Sequence, residues 1–485
     1  MKTPEEYKKS LKQMRPNIYK FGELIKDVTT HPATKRTIEG HAQIFAASLK
    51  PEYQDTLTTK SSLTGEKVSR YLSILGSAED MYANVRMKRL MFHLTGTCTG
   101  GRCAGFNALN AMWATTYDMD HDLKTEYHKR LQTWLKDAQK RDITLSGALT
   151  DPKGDRSKTP TQQEDPDLSL HIVDKSDKGI IVRGAKVMIC GVAAANEIFV
   201  MPGMGYKEPD KDYAASFVIP RDAENLTIIE ARRPSDNREL EKGFDIPVDI
   251  GGITQAYLLF EDVFVPKERV FMCREYDYAS RAIMNFISPY RAAIGGCVAG
   301  QGDVMIGAAA LMARANGLNE KTFKDKITQM IINNETTFGV GIAASAMGKK
   351  HPSGVWIPDV LLSNVNKVHV ATLPYETKRL TQDISGGIAE TGCLPSCQDL
   401  NDPKYGKILK KYLKANCSGE SRAKIARLIE WLTIGAGVPG CMHGGGSPDG
   451  AKLIINSKTD INHYIELAKR LANVEENINI ESKNK

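Results

Sequence analysis

No run of apolar residues in this chain approaches the ~18 needed to cross a bilayer, so no membrane partner is expected. Lys and Arg are spread along the sequence. Although the net charge is +7, no basic block is long enough to serve as a nucleic-acid arm. The opening stretch MKTPEEYKKSLKQM lacks the apolar core of a signal peptide, so a cytoplasmic protein is expected. Nine cysteines without a secretion signal argue against a disulfide framework. No internal repeat is present. With 41% hydrophobic and 25% charged residues, the composition is that of a soluble globular protein. At 485 residues the chain exceeds one core, and two or three domains are expected.

Hydrophobic spacing divides the chain into three. Residues 1–145 read as mainly helical: Leu11, Met14 and Ile18, then Phe21, Leu24 and Ile25, recur at helical spacing, with breaks at Pro16 and Pro32. Helical patterns follow over Ser69–Met91, Phe106–Tyr117 and Tyr127–Ala138. Residues 146–272 are a β-region. A polar loop, Thr150–Thr159, precedes alternation at Leu168, Leu170 and Ile172; a turn at Lys178-Gly179 leads to strands at Ile180–Val182 and Val187–Cys190. The Asp155-Arg156-Ser157 tip presents small donors and one cation, suited to an anion or a polar ring edge. Residues 273–485 return to helices, with Asp303–Asn316 as a bundle-core segment. Tyr375, Glu376 and Arg379 share a helix face, and the spacing of the latter two predicts an ion pair.

The order of the middle segments resembles the β-domain of the acyl-CoA dehydrogenase fold. The matching pieces are Thr150-Asp151-Pro152, then Gly184-Ala185-Lys186-Val187-Met188-Ile189-Cys190, then Ala193–Val200, then LLFEDVFVPKERV at 258–270. Beyond that region, TTKSSLTGEKVSR (58–70), TTYDMDHDLKTEYHKR (115–130), GALTDPKGDRS (147–157), DKDYAASF (210–217), GDVMIGAAAL (302–311) and MHGGGSP (442–448) are similar to segments of 4-hydroxybutyryl-CoA dehydratases. These share a superfamily with the flavin-dependent 4-hydroxyphenylacetate 3-hydroxylases. The resemblance implies an α+β multidomain fold: an N-terminal helical domain (1–145), a middle antiparallel β-domain (146–272) and a C-terminal helical bundle (273–485). It also implies FAD between β-domain and bundle, and a homotetramer or homodimer. The flavin would be bordered by Thr150, Asp151, Lys153, Asp155, Arg156, Cys190 and Gly191. Gly386 and Gly387, in QDISGG, resemble a segment that reaches a neighbouring subunit's flavin, or else cap a helix.

The dehydratases also hold a [4Fe–4S] cluster on three Cys and one His, and remove water by a ketyl-radical route. This sequence departs from that pattern. In GTCTGGRCAGFNALNA (96–111) Cys103 is kept, but the first ligand position is Thr99 and Cys98 stands one place earlier. Cys297 is kept, but the His position is Tyr290. Two acidic positions fall on Gln255 and Gly440, a Thr beside the flavin is Cys190, and a Lys is Val298. A metal cluster would rest on Cys98, Cys103 and Cys297, with Tyr290, Cys190, Cys441 or an outside ligand as the fourth donor. An amide at Gln255 hydrogen-bonds but cannot exchange a proton as a carboxylate does.

The resemblance thus implies a flavin enzyme acting on a small acyl-CoA, with Arg102, Cys190, Gln255, Tyr290 and His443 at the reacting centre. The rival is a reduced-flavin hydroxylase of a phenol. A third reading is a flavin-binding homologue without chemistry.

Overall fold

The computed structural model describes residues 1–98, 102–233, 236, 240–245, 252, 254–434 and 442–476. Strands lie mostly between helical regions, the order that the acyl-CoA dehydrogenase-like fold requires. In chain order the strands that build the site are β1 (Ile18–Lys20), β2 (Glu23–Leu24), β3 (Leu145–Ala148), β4 (His171–Ser176), β5 (Gly179–Cys190), β6 (Glu197–Val200), β7 (Ala215–Pro220), β8 (Leu226–Glu230), β9 (Gln255–Pro266) and β10 (Val270–Cys273). Among the described residues, one sheet has the order β2-β1-β8-β9-β5-β4 and a second the order β10-β7-β6-β3. Leu170, Ile172, Ile180, Val182, Phe199, Phe217, Leu258 and Phe260 are buried together in one apolar cluster.

The expected helical spacing through Ile18 and Phe21 is overturned. The first helix stops at Lys12, and β1 pairs in parallel with β8. Pro16 breaks the helix, and Ile18 gains more from a seat in the sheet core, where it is 1% exposed. The helix expected from Ser69 also starts later. Lys67–Ser69 pairs with Thr58–Lys60, and α1 (Ala78–Thr95) begins where the Ser77 side chain accepts from Asp80 N. Phe106–Tyr117 lies inside α2 (Arg102–Leu123) as expected, and the next helix is α3 (Tyr127–Arg141). The strand expected in two pieces, 180–182 and 187–190, is the single strand β5.

The bundle is built around α4 (Ala279–Ala315), 37 residues long and continuous through Pro289. It packs on α1, α2, α5 (Lys321–Ala346) and α6 (Val360–Val370). By length and composition the helix could span a membrane, but 61% of its apolar window is buried within the chain. Glycine makes the packing tight. A Cβ on Gly296 would stand 2.1 Å from the Val85 carbonyl oxygen of α1, and one on Gly295 would stand 2.3 Å from that of Thr337 in α5. Arg89 of α1 grips Asp303 of α4 through two contacts of 2.7 Å and reaches Glu335 of α5 at 2.6 Å. Further helices are α7 (Leu373–Ser385), α8 (Gly419–Thr433), α9 (Pro448–Lys458) and α10 (Ile461–Ala472). The expected Glu376–Arg379 ion pair forms on α7, at 2.8 Å.

Candidate functional site

The geometry begins with a bulge. Two residues of β5, Val187 and Met188, sit where β9 has one, and Met188 takes φ +56° to absorb the extra length. This register sets Cys190 opposite Gln255, with the amide Nε2 3.7 Å from Sγ. Burial pushes the Cys190 thiol up to about 11, helped by Cys103 nearby, so it stays a neutral thiol at ordinary pH. Ser146 of β3 donates to the Cys190 carbonyl, and Gly191 N donates to Thr254 O at 2.9 Å.

The polar loop is fixed at its base. Val187 N donates to Thr150 O at 2.8 Å. Asp151, 8% exposed, pairs with Lys186 at 2.7 Å, and the same ammonium donates to the carbonyls of Leu149 and Met201. Tyr206 approaches Asp151 at 3.5 Å. Beyond this anchor Lys153, Asp155 and Arg156 are exposed. The Asp155 carboxylate accepts from Ser157 N and Oγ, which holds its pKa below the usual range.

Tyr290 of α4 completes the site. Its ring stacks on Phe286, centroids 5.4 Å apart, with Lys88 Nζ 5.2 Å from its centroid. Burial raises its phenol well above the ordinary value, and Cys103, Cys190, Cys297 and Cys98 are all near enough to add to the effect. Thiols from three segments therefore lie near one phenol: Cys98 and Cys103 from one, Cys190 from β5 and Cys297 two turns along α4. Three of them also lean on apolar clusters, Cys98 and Cys297 on one and Cys103 on another. The segment after residue 441 closes over the ring: a Cβ on Gly445 would stand 2.7 Å from Tyr290 Cδ1. Arg291 Nε donates to Gly445 O at 2.9 Å and Lys367 Nζ to Gly444 O at 2.6 Å.

The remaining sequence-derived residues fall elsewhere. Arg102 is 3% exposed, its guanidinium 4.7 Å from the Phe45 ring and 4.6 Å from that of Tyr71. The His443 side chain is exposed, and its carbonyl accepts from Gly446 N. Gly386, at φ +71°, caps α7, and Gly387 follows it in a short helix. Thr99, Gly440 and Cys441 lie outside the described residues. Among the described residues no group of three or more His, Cys, Asp or Glu side chains is arranged to hold a metal ion. Sequence reasoning missed Lys88, Arg233 and Glu230. The last had a signal in LTIIEARR, where a lone carboxylate ends a buried strand next to two arginines.

Residues 3–272 match the family described as 4-hydroxyphenylacetate 3-hydroxylase N terminal, and residues 279–473 match its C-terminal counterpart. The chain is 39% identical to the 4-hydroxybutyryl-CoA dehydratase/vinylacetyl-CoA-Delta-isomerase of Clostridium aminobutyricum, over 97% of this chain and 99% of that one. It is 25% identical to the 4-hydroxyphenylacetate 3-monooxygenase oxygenase component of Thermus thermophilus, over 89% and 88%. Among solved structures, an oxygen-tolerant archaeal 4-hydroxybutyryl-CoA dehydratase from N. maritimus superposes with a TM-score of 0.94 at 38% identity, covering 100% of this chain and 97% of that one. An oxygenase component of 4-hydroxyphenylacetate 3-monooxygenase, complexed with FAD and 4-hydroxyphenylacetate, shares the fold with a TM-score of 0.86 at 22% identity, over 98% of each chain. With both halves matched and a dehydratase relative aligned from end to end, this chain belongs to the 4-hydroxyphenylacetate 3-hydroxylase family.

Proposed function

We propose that the chain is an FAD-dependent enzyme acting on a small acyl-CoA thioester, resembling the dehydratase but running altered chemistry. The observation that carries this reading is the 39% identity to the dehydratase from end to end, and the altered chemistry rests on Gln255 and on Tyr290 among the cysteines. The flavin fits the residues present. A loop pinned by a buried ion pair, a neutral thiol at Cys190 and the Gln255 amide give an uncharged ring polar edges without an opposing charge. Bound FAD would supply electron exchange with the substrate. Lys153 and Arg156 would meet its anionic parts, and Gln255 and Tyr290 would hydrogen-bond the thioester carbonyl and exclude water from it.

The [4Fe–4S] cluster does not fit this donor set. The cluster of the enzymes this chain resembles takes three thiolates and one imidazole. Here the imidazole position is the Tyr290 phenol, which keeps its proton, so the chain supplies thiols and, among the described residues, no imidazole at the site. No step is therefore routed through iron. The same donor set also suits a reduced-flavin hydroxylase, which needs no cluster, so the substrate decides between them. Titrating the flavoprotein with 4-hydroxybutyryl-CoA and with 4-hydroxyphenylacetate tests the reading. A change in the flavin spectrum with the thioester alone is expected. A change with the phenol alone would transfer the chain to the hydroxylases, and silence with both would leave a non-catalytic flavin carrier.

For assembly we infer a homotetramer or homodimer. Ile461, Tyr464, Ile465 and Leu471 form one stripe of α10 and are 61%, 55%, 45% and 84% exposed, an apolar face suited to a second copy of the chain.

A further inference from the structure

Glu230 ends β8 and faces inward beside Ala256 of β9, which pairs in turn with Ile189 of β5. It is 3% exposed, and among the described residues neither carboxylate oxygen has a well-formed hydrogen bond. The Thr254 hydroxyl stands beside it, near enough to lower its pKa by hydrogen bonding, and has no other partner among the described residues. Buried polar atoms left in this state are rare and mark either strain or a function. The charged and titratable groups that face the carboxyl are Lys20 from β1, Arg233 and Asp236 from the segment after β8, Arg221 after β7 and Cys190 from β5. Lys20 is itself held by Asp236 at 2.7 Å. Thr254 links this cluster to the site, because its carbonyl accepts from Gly191, the residue after Cys190. The register puts Glu230 on the sheet face opposite Cys190, so it acts around the strand end and not by touching a flavin.

We propose that Glu230 is a positioning residue and proton store for the Cys190–Gln255 end of the site, acting through Thr254. This rests on the flavin reading above. There, Gln255 occupies a position where the dehydratases carry an acid, and an amide cannot trade a proton. When Glu230 releases its proton, the Oε–H bond breaks and the proton passes to a water hydrogen-bonded to the Thr254 hydroxyl. The carboxylate left behind is opposed by Arg233 and Lys20. Uptake reverses the step, and no electron moves. Burial pushes the Glu230 carboxyl up to about 7, which places the exchange at physiological pH.

The test uses the holoenzyme and the near-isosteric E230Q, with T254V as a second variant that leaves the acid in place. Bound FAD should show an absorbance change with a midpoint near neutral pH. E230Q should abolish it at unchanged FAD content, and T254V should shift it. Infrared difference spectra between about pH 6 and about pH 8 should show loss of a protonated carboxyl band that E230Q lacks. A midpoint unchanged in E230Q, with FAD present, would overturn the role of Glu230 alone. So would the infrared band persisting in E230Q. Protein that holds no FAD would overturn the flavin reading, and this role with it.

Discussion

Glu230 and Lys186 are both buried, and burial pushes each toward its neutral form, Glu230 up and Lys186 down. The folded chain holds a proton on Glu230 up to about pH 7, whereas the unfolded chain releases it near its ordinary value of 4.5. A raised acid therefore costs stability as pH climbs between those two values, and the cost is constant above the upper one. E230Q should accordingly stabilise the protein by ~3 kcal/mol at pH 8 and hardly at all near pH 4. Denaturant midpoints at the two pH values check this, and a gain independent of pH would contradict it. Lys186, 2% exposed, is partly compensated by Asp151, and burial still holds its pKa below the usual value. D151N strands that ammonium and should cost ~3–5 kcal/mol, with loss of FAD. Adding K186M should restore stability without restoring FAD, because the loop anchor is still gone. Recovery of both would mean the pair is structural ballast for the site.

At the scale of elements, the bulge in β5 keeps Cys190 opposite Gln255. A strand alternates with period two, and the bulge absorbs the one residue by which β5 exceeds β9 between Lys186 and Ile189. Deleting Met188 should leave Val187 alone opposite Tyr257, a regular ladder with Cys190 still opposite Gln255, so FAD binding should weaken through the lost kink and not vanish. M188G should keep both register and flavin, and gain up to ~1 kcal/mol by relieving the positive φ. Absorbance of the purified variants reads this directly. The bulge also shows where the sequence was legible and where it was not. The stretch 180–190 was readable as β from its alternation, but the Gly184-Ala185-Lys186 interruption read as a break, whereas the strand runs through it. The helix around Phe106–Tyr117 was legible because its apolar residues fill nearly every face. The start of the helix near Ser69 was not, because pairing of Lys67–Ser69 with a strand nine residues back overrode local periodicity.

For the whole molecule, the resemblance carried the order of helices, sheets and bundle and named Cys190, Gln255 and Tyr290. The convergence of four cysteines from three segments on Tyr290 depends on the seating of α4 against α1 and α2, which spacing does not encode. Arg102 illustrates the reverse: a residue matched by motif turns its guanidinium to Phe45 and Tyr71. The uncovered stripe on α10 adds a prediction at this scale. I461D together with I465D should reduce the assembly to smaller species in size-exclusion light scattering, with the fold intact by circular dichroism; an unchanged mass would mean that another face joins the copies.

The central claim is that Tyr290 stands where a cluster ligand would have to be, leaving flavin chemistry without iron. Iron, acid-labile sulfide and the visible spectrum of protein purified without oxygen test it together. FAD bands with iron and sulfide well below stoichiometry are predicted. About four irons per chain, with a broad absorbance over the flavin bands, would contradict the account and return Cys98, Cys103 and Cys297 to the role of cluster ligands.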